Sequence, residues 1–158
     1  MSGLLTSLTF LATLGAGLVA GIFFAFSTFV MAALGRIPAN EGVAAMQAIN
    51  VTVMNPFFFV AFFGTALVAI VVAVLALFDW QGVRSLLIVV GALLYVIGTV
   101  GVTIAFNVPL NDALAPLPPA SAEAAELWGR YLVTWTNWNH VRTVAPLLAA
   151  AAFLKALV

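Results

Sequence analysis

Hydrophobic positions along this chain gather into four long runs separated by three polar stretches of unequal character. Residues 4–34, 56–78 and 86–106 carry almost no charge, and residues 141–158 carry only Arg142 and Lys155. The runs show neither the alternation of a half-buried strand nor a single apolar stripe, so they predict helices surrounded by apolar material on all sides. About 20 such residues suffice to cross the hydrocarbon core of a bilayer. The expected fold is all-α: an integral membrane four-helix bundle, one domain over residues 1–158, with a short interfacial helix between spans one and two. That helix is read from "GRIPANEGVAAMQAINVTVMN", where Pro38 can open a helix and small apolar residues alternate with Gln47 and Asn50.

The other two connections differ from it. "DWQGVRS" is a tight turn from Asp79 to Arg84. "NVPLNDALAPLPPASAEAAELWGRYLV" contains Pro109, Pro116, Pro118 and Pro119, which are expected to prevent a continuous helix. Ser121 then suits an N-cap, with Glu123 and Glu126 near the positive end of the helix dipole. A helix running from there to the end of the chain would be roughly 50 Å long at about 1.5 Å per residue. That exceeds a bilayer core, so its first half is expected at or beyond the membrane surface.

Composition strengthens the membrane reading. Of 158 residues, 65% are hydrophobic and 6% charged, against roughly a quarter charged in soluble domains. A net charge of zero offers nucleic acid no electrostatic footprint. The absence of cysteine excludes disulfide relays and thiolate-bound metals. His140 is the only histidine, so no metal or haem ligand set is expected. The N-terminal run reads as a retained span, being too long for the apolar region of a cleaved signal and lacking a basic flank. Arg84 and Lys155 fall on one side of the membrane, Arg36, Arg130 and Arg142 on the other, which leaves the orientation open. The expected location is integral to a membrane with four spans, the cell membrane in a bacterium.

Polar residues concentrate at one end of this antiparallel arrangement. Gln47, Asn50, Asn55, Asn107, Asn111, Asp112, Asn139, His140 and Arg142 all belong to the ends that share a face. Isolated polar groups at membrane depth cost several kcal/mol, so these side chains lie among headgroups or bond one another around a pocket. Spacing favours a pocket for some. Trp128, Tyr131, Trp135, Trp138, Asn139 and Arg142 form one stripe on a 3.6-residue helix, leading from aromatics to an amide and a guanidinium. His140 points more than a right angle away from that stripe. Asn107 and Asn111 flank Pro109 and can face one cavity or satisfy the backbone groups that proline frees. Asn55 before Pro56 is a pocket residue or a helix cap. The bland alternatives are an interfacial belt for the tryptophans, snorkelling for Arg142 and a solvated helix face for Gln47 and Asn50. Gly15, Gly17 and Gly21 form a small-residue face suited to close helix contact, within the bundle or with a second copy in a homo-oligomer.

"MQAINVTVMNPFF", "FNVPLNDAL" and "WTNWNHVRTVAPLLAAAAFL" resemble the anthrone-oxygenase-like family of small four-helix membrane proteins, many of which are described only as a domain of unknown function. The likeness extends over nearly the whole chain. The Asn107–Pro109–Asn111 motif and the Trp135–Trp138–Asn139–Arg142 motif are the most specific parts of it. The resemblance implies an oxygenase that needs no cofactor and converts an anthrone, with dioxygen, into an anthraquinone. An apolar slot from Trp135, Trp138, Phe106 and Tyr131 would hold a lipophilic aromatic substrate, with Asn55, Gln47 and Asn50 as further contacts. Arg142, Asn139, Asn107 and Asn111 would supply donors to a developing oxyanion. His140 or Asp112 would be the base. The alternative is a non-catalytic membrane protein that binds a small lipophilic molecule or serves as a subunit of a membrane complex. A transporter is disfavoured, because no ionisable residue stands in the middle of a span.

Overall fold

The computed structural model describes residues 3–158. Among these residues there is helix and connecting chain but no strand. Four helices are long and apolar enough to cross a membrane: span one (Gly3–Leu34), span two (Pro56–Phe78), span three (Val83–Leu114) and span four (Ala122–Leu157). The protein is an all-α integral membrane bundle. The short helix foreseen between spans one and two is present as Ala39–Thr52.

Span three departs from expectation. It continues past residue 106 to Leu114, although it contains Pro109. Two π-helical segments, Val96–Gly101 and Thr103–Asn107, immediately precede the proline. Pro109 then falls in the first turn of the final segment Val108–Leu114, where a missing donor is tolerated. The helix ends before Pro116, as the remaining prolines require. Span four begins at Ala122, with the Ser121 hydroxyl accepting from the Ala124 amide at 3.1 Å. It runs unbroken for 36 residues.

Around the bundle the neighbours run one, four, three, two and back to one. Two cores result. The larger packs Ala16, Val19, Phe62, Val72, Tyr95 and Phe153 among the four spans. The smaller joins the short helix to the beginning of span four through Val43, Met46, Leu114, Trp128 and Tyr131. Their junction coincides with distorted helix in three spans. Besides the two segments of span three, π turns occupy Phe26–Val30 in span one and Val60–Gly64 in span two. The Tyr95 hydroxyl donates to the Phe62 carbonyl inside one of them, at 3.0 Å.

Close helix approach occurs at only one of the three glycines of span one. Gly15 faces Thr65, but Gly17 and Gly21 are exposed with nothing near them. Further tight contacts lie between spans three and four. A Cβ on Gly98 would stand 2.6 Å from that of Ala145, and one on Gly91 would stand 2.7 Å from the Phe153 ring. Phe153 is fully buried and has nowhere to retreat. Gly91→Val is therefore expected to destabilise the bundle by about 1–3 kcal/mol, the usual range for overpacking. A lowered midpoint in detergent-induced unfolding would show it; an unchanged midpoint would mean that the crossing is looser than described.

Candidate functional site

Span four supplies one wall of the site. Trp128, Tyr131, Trp135, Asn139 and Arg142 are all buried, as their spacing along one helical face requires. Their rings stack along the axis: Trp128 on Tyr131 at 5.5 Å and Tyr131 on Trp135 at 5.8 Å between centroids. The Arg142 guanidinium continues the series. Its central carbon lies 4.6 Å from the Trp135 ring centroid and 4.3 Å from that of Phe23 in span one. A cation held between two desolvated aromatic faces gains about 2 kcal/mol from such a contact, so the guanidinium turns inward rather than snorkelling.

Asn139 fixes this arrangement. Its Nδ2 donates to the Phe23 carbonyl and to Ser27 Oγ, both at 2.8 Å, tying span four to span one. Its Oδ1 accepts from Arg142 Nε at 3.0 Å. Thr143 Oγ1 donates to the Asn139 carbonyl at 2.7 Å and meets Ser27 Oγ at 2.9 Å. Arg142 Nη1 makes one further, long contact of 3.4 Å to Thr103 Oγ1. A guanidinium has five N–H donors, so most of the fork is left without a protein acceptor. Arg142 is nevertheless only 5% exposed.

These free donors border a cavity of about 120 Å³. Phe23 and Phe26 of span one, Met46, Ile49 and Asn50 of the short helix, and Phe58 of span two contribute to its wall. Thr103, Val108 and Asn111 of span three and Trp135 and Arg142 of span four also line it, with Ile22, Val53 and Met54. No carboxylate lines it, and Arg142 is its only charged group. Asn111 organises the polar side. Its Oδ1 accepts from the Tyr131 hydroxyl at 2.6 Å and from Trp135 Nε1 at 2.8 Å. Span three and span four thus meet in one network.

Several residues named from the sequence lie elsewhere. Asn107 is fully buried behind the cavity, donating from Nδ2 to the Trp135 carbonyl at 3.0 Å, while its Oδ1 has no partner. Trp138 and Phe106 stack on each other at 3.6 Å between centroids and are absent from the cavity wall. His140 is exposed on the far side of an unbroken helix. Asn55 is a helix cap: its side chain accepts from the Phe58 amide at 3.1 Å and donates to the Thr52 carbonyl at 3.0 Å. Gln47 donates to the carbonyls of Leu114 and Leu117, each at 2.9 Å, and so clamps the short helix to the end of span three. The contributions of Phe23, Phe26 and Ser27 were not foreseen. Span one is so uniformly apolar there that only Ser27 and Thr28 break it, and neither marks the cavity side.

A four-span membrane bundle with a small, arginine-bearing apolar chamber at one end is the class of protein these features describe. A sequence model of the anthrone oxygenase family matches residues 57–152, and the chain belongs to that family. No curated protein and no solved structure matches it. The matched stretch contains Thr103, Asn111, Trp135, Asn139 and Arg142, but not the span one or short-helix residues that complete the chamber.

Proposed function

We propose that the protein is a cofactor-independent oxygenase that acts on a lipophilic, anthrone-like aromatic held against Arg142. The observation that carries this reading is a buried guanidinium with free donors, facing an apolar chamber that contains no counter-charge. Loss of a methylene proton turns an anthrone into an electron-rich phenolate-like anion. A unit negative charge about 4 Å from the guanidinium gains about 4 kcal/mol at an effective dielectric of about 20. That favours ionisation of the bound ring by about a thousandfold. The anion reduces dioxygen directly and forms a C–O bond at the former methylene carbon. The resulting hydroperoxide loses the second methylene hydrogen as water, leaving the quinone carbonyl. The substrate thus supplies all four electrons, one oxygen atom entering the product and one leaving as water. Asp112, exposed one residue beyond Asn111, is the proton acceptor in this scheme. His140 faces away and has no part in it.

One observation favours a second reading, a carrier that binds such a molecule without transforming it: apart from Arg142, no lining residue has an acidic or basic side chain. Protein in lipid nanodiscs, supplied with anthrone in aerated buffer, separates the two. An oxygenase consumes one dioxygen per anthraquinone formed, at a rate above that of empty nanodiscs. Binding of anthraquinone with no rate above that background would leave the carrier.

A further inference from the structure

The chamber beside Arg142, at about 120 Å³, is close in size to the roughly 150 Å³ cavity known to accommodate a single benzene, room for one ring. It falls short of the roughly 300 Å³ at which ligand pockets usually begin. A fused three-ring molecule does not fit inside it. A second hollow of about 280 Å³ adjoins it, lined by Gln47, Val51, Asp112 and Ala115 together with Asn50, Met54, Val108 and Asn111. The last four residues line both spaces, so the two are compartments of one elongated cleft. Together they reach ligand size.

The compartments differ in chemistry. Around the inner one are phenylalanine, methionine, tryptophan and one cation. The outer one has the Asp112 carboxylate and the Gln47, Asn50 and Asn111 amides. The Gln47 amide nitrogen is spent on backbone carbonyls, so the oxygen is the part of that side chain left to a ligand. A carboxylate and an amide oxygen accept hydrogen bonds, whereas the inner guanidinium donates them. The outer wall is also open to the surroundings, with Val51 76% and Met54 64% exposed.

We infer that the cleft binds an elongated, flat hydroxyaromatic end-on in two subsites. One terminal ring, bearing an ionised hydroxyl, enters the chamber against Arg142. The rest lies between the short helix and the end of span three, its hydroxyl groups donating to Asp112 and Gln47. Specificity for ligand length therefore resides in residues 47–54 and 108–115, apart from the group that holds the charge. This rests on the reading of Arg142 given above, and the test keeps the two apart.

Two coloured phenols serve as probes for the full-length protein in nanodiscs: para-nitrophenol, with one ring, and alizarin, with three. Ala115 and Val51 line only the outer compartment, from opposite walls. Ala115→Trp is expected to weaken alizarin binding by about tenfold or more while para-nitrophenol stays within about twofold. Val51→Trp, on the exposed face of the short helix, is expected to do the same and stands in should the first variant not fold. Arg142→Gln weakens both probes. The two-subsite inference is overturned if neither tryptophan affects alizarin, if both probes weaken alike, or if alizarin fails to bind wild type while para-nitrophenol binds. Indifference of both probes to Arg142→Gln, or failure of both to bind at all, instead removes the role of Arg142 on which the proposed function stands.

Discussion

Replacing Arg142 with glutamine is expected to lower anthrone turnover by about two to three orders of magnitude, the range seen when one oxyanion donor is removed from a preorganised site. Glutamine retains an amide that can still bond to Asn139, so the link to span one through Phe23 and Ser27 survives. What is lost is the only charge in the chamber. Lysine tests a different part of the argument. It keeps the positive charge but not the planar fork or its stacking between Phe23 and Trp135. Arg142→Lys should therefore give an intermediate rate, better than glutamine and well below wild type. Initial rates of anthraquinone formation decide the order. Equal rates for wild type and Arg142→Gln would leave the guanidinium a structural group.

The second large effect is expected at Asn111, where two substitutions should fail for opposite reasons. Asn111→Leu removes the acceptor shared by the Tyr131 hydroxyl and the Trp135 indole. Each stranded donor costs about 1–3 kcal/mol, so this variant should unfold at markedly lower detergent or heat stress. Asn111→Asp keeps both hydrogen bonds and should keep the fold. However, it places a carboxylate in the wall of the chamber that Arg142 serves. The bound anion would then face a like charge, and the guanidinium would have gained an internal partner. Binding of para-nitrophenol should fall by about a hundredfold, a coupling of about 3 kcal/mol. It should recover as pH is lowered and the new carboxyl takes up a proton. Wild-type affinity in a stably folded Asn111→Asp protein, with no dependence on pH beyond that of the ligand, would show that the chamber does not select anions.

Much of the architecture was legible because it depends on length and composition. Span two was bounded at 56–78, the cap at Ser121 was read from its residue type, and the long fourth helix followed from its uninterrupted pattern. Span three outruns its composition, because a proline such as Pro109 ordinarily marks a helix end. The π turns before Pro109 carry no residue-type signature that marks them out in the sequence. The stripe on span four was legible for the same reason as its helix: period 3.6 brings Trp135, Asn139 and Arg142 to one side. Trp138 sits at the edge of that stripe, and one neighbour, Phe106, is enough to draw it outward. Asn55 and Gln47 were ambiguous by nature, because an amide that caps a helix and one that meets a ligand look identical in a sequence. Two of the three glycine contacts were misplaced, because glycines in a row of apolar residues say nothing about which helix faces them. Only the packed bundle distinguishes Gly91 and Gly98 from Gly17 and Gly21.

The π turns have a genetic consequence. Each one inserts an extra residue into the winding of its helix, and the segments 96–101 and 103–107 lie just before the part of span three that holds Val108 and Asn111. Removing a single codon there would take out the extra residue and restore ordinary winding, leaving everything downstream in its present register. Asn111 would still face the cleft, with the membrane anchor untouched. In this scaffold the wide turns are the places where span three can lose a residue without exchanging one set of ligand contacts for another.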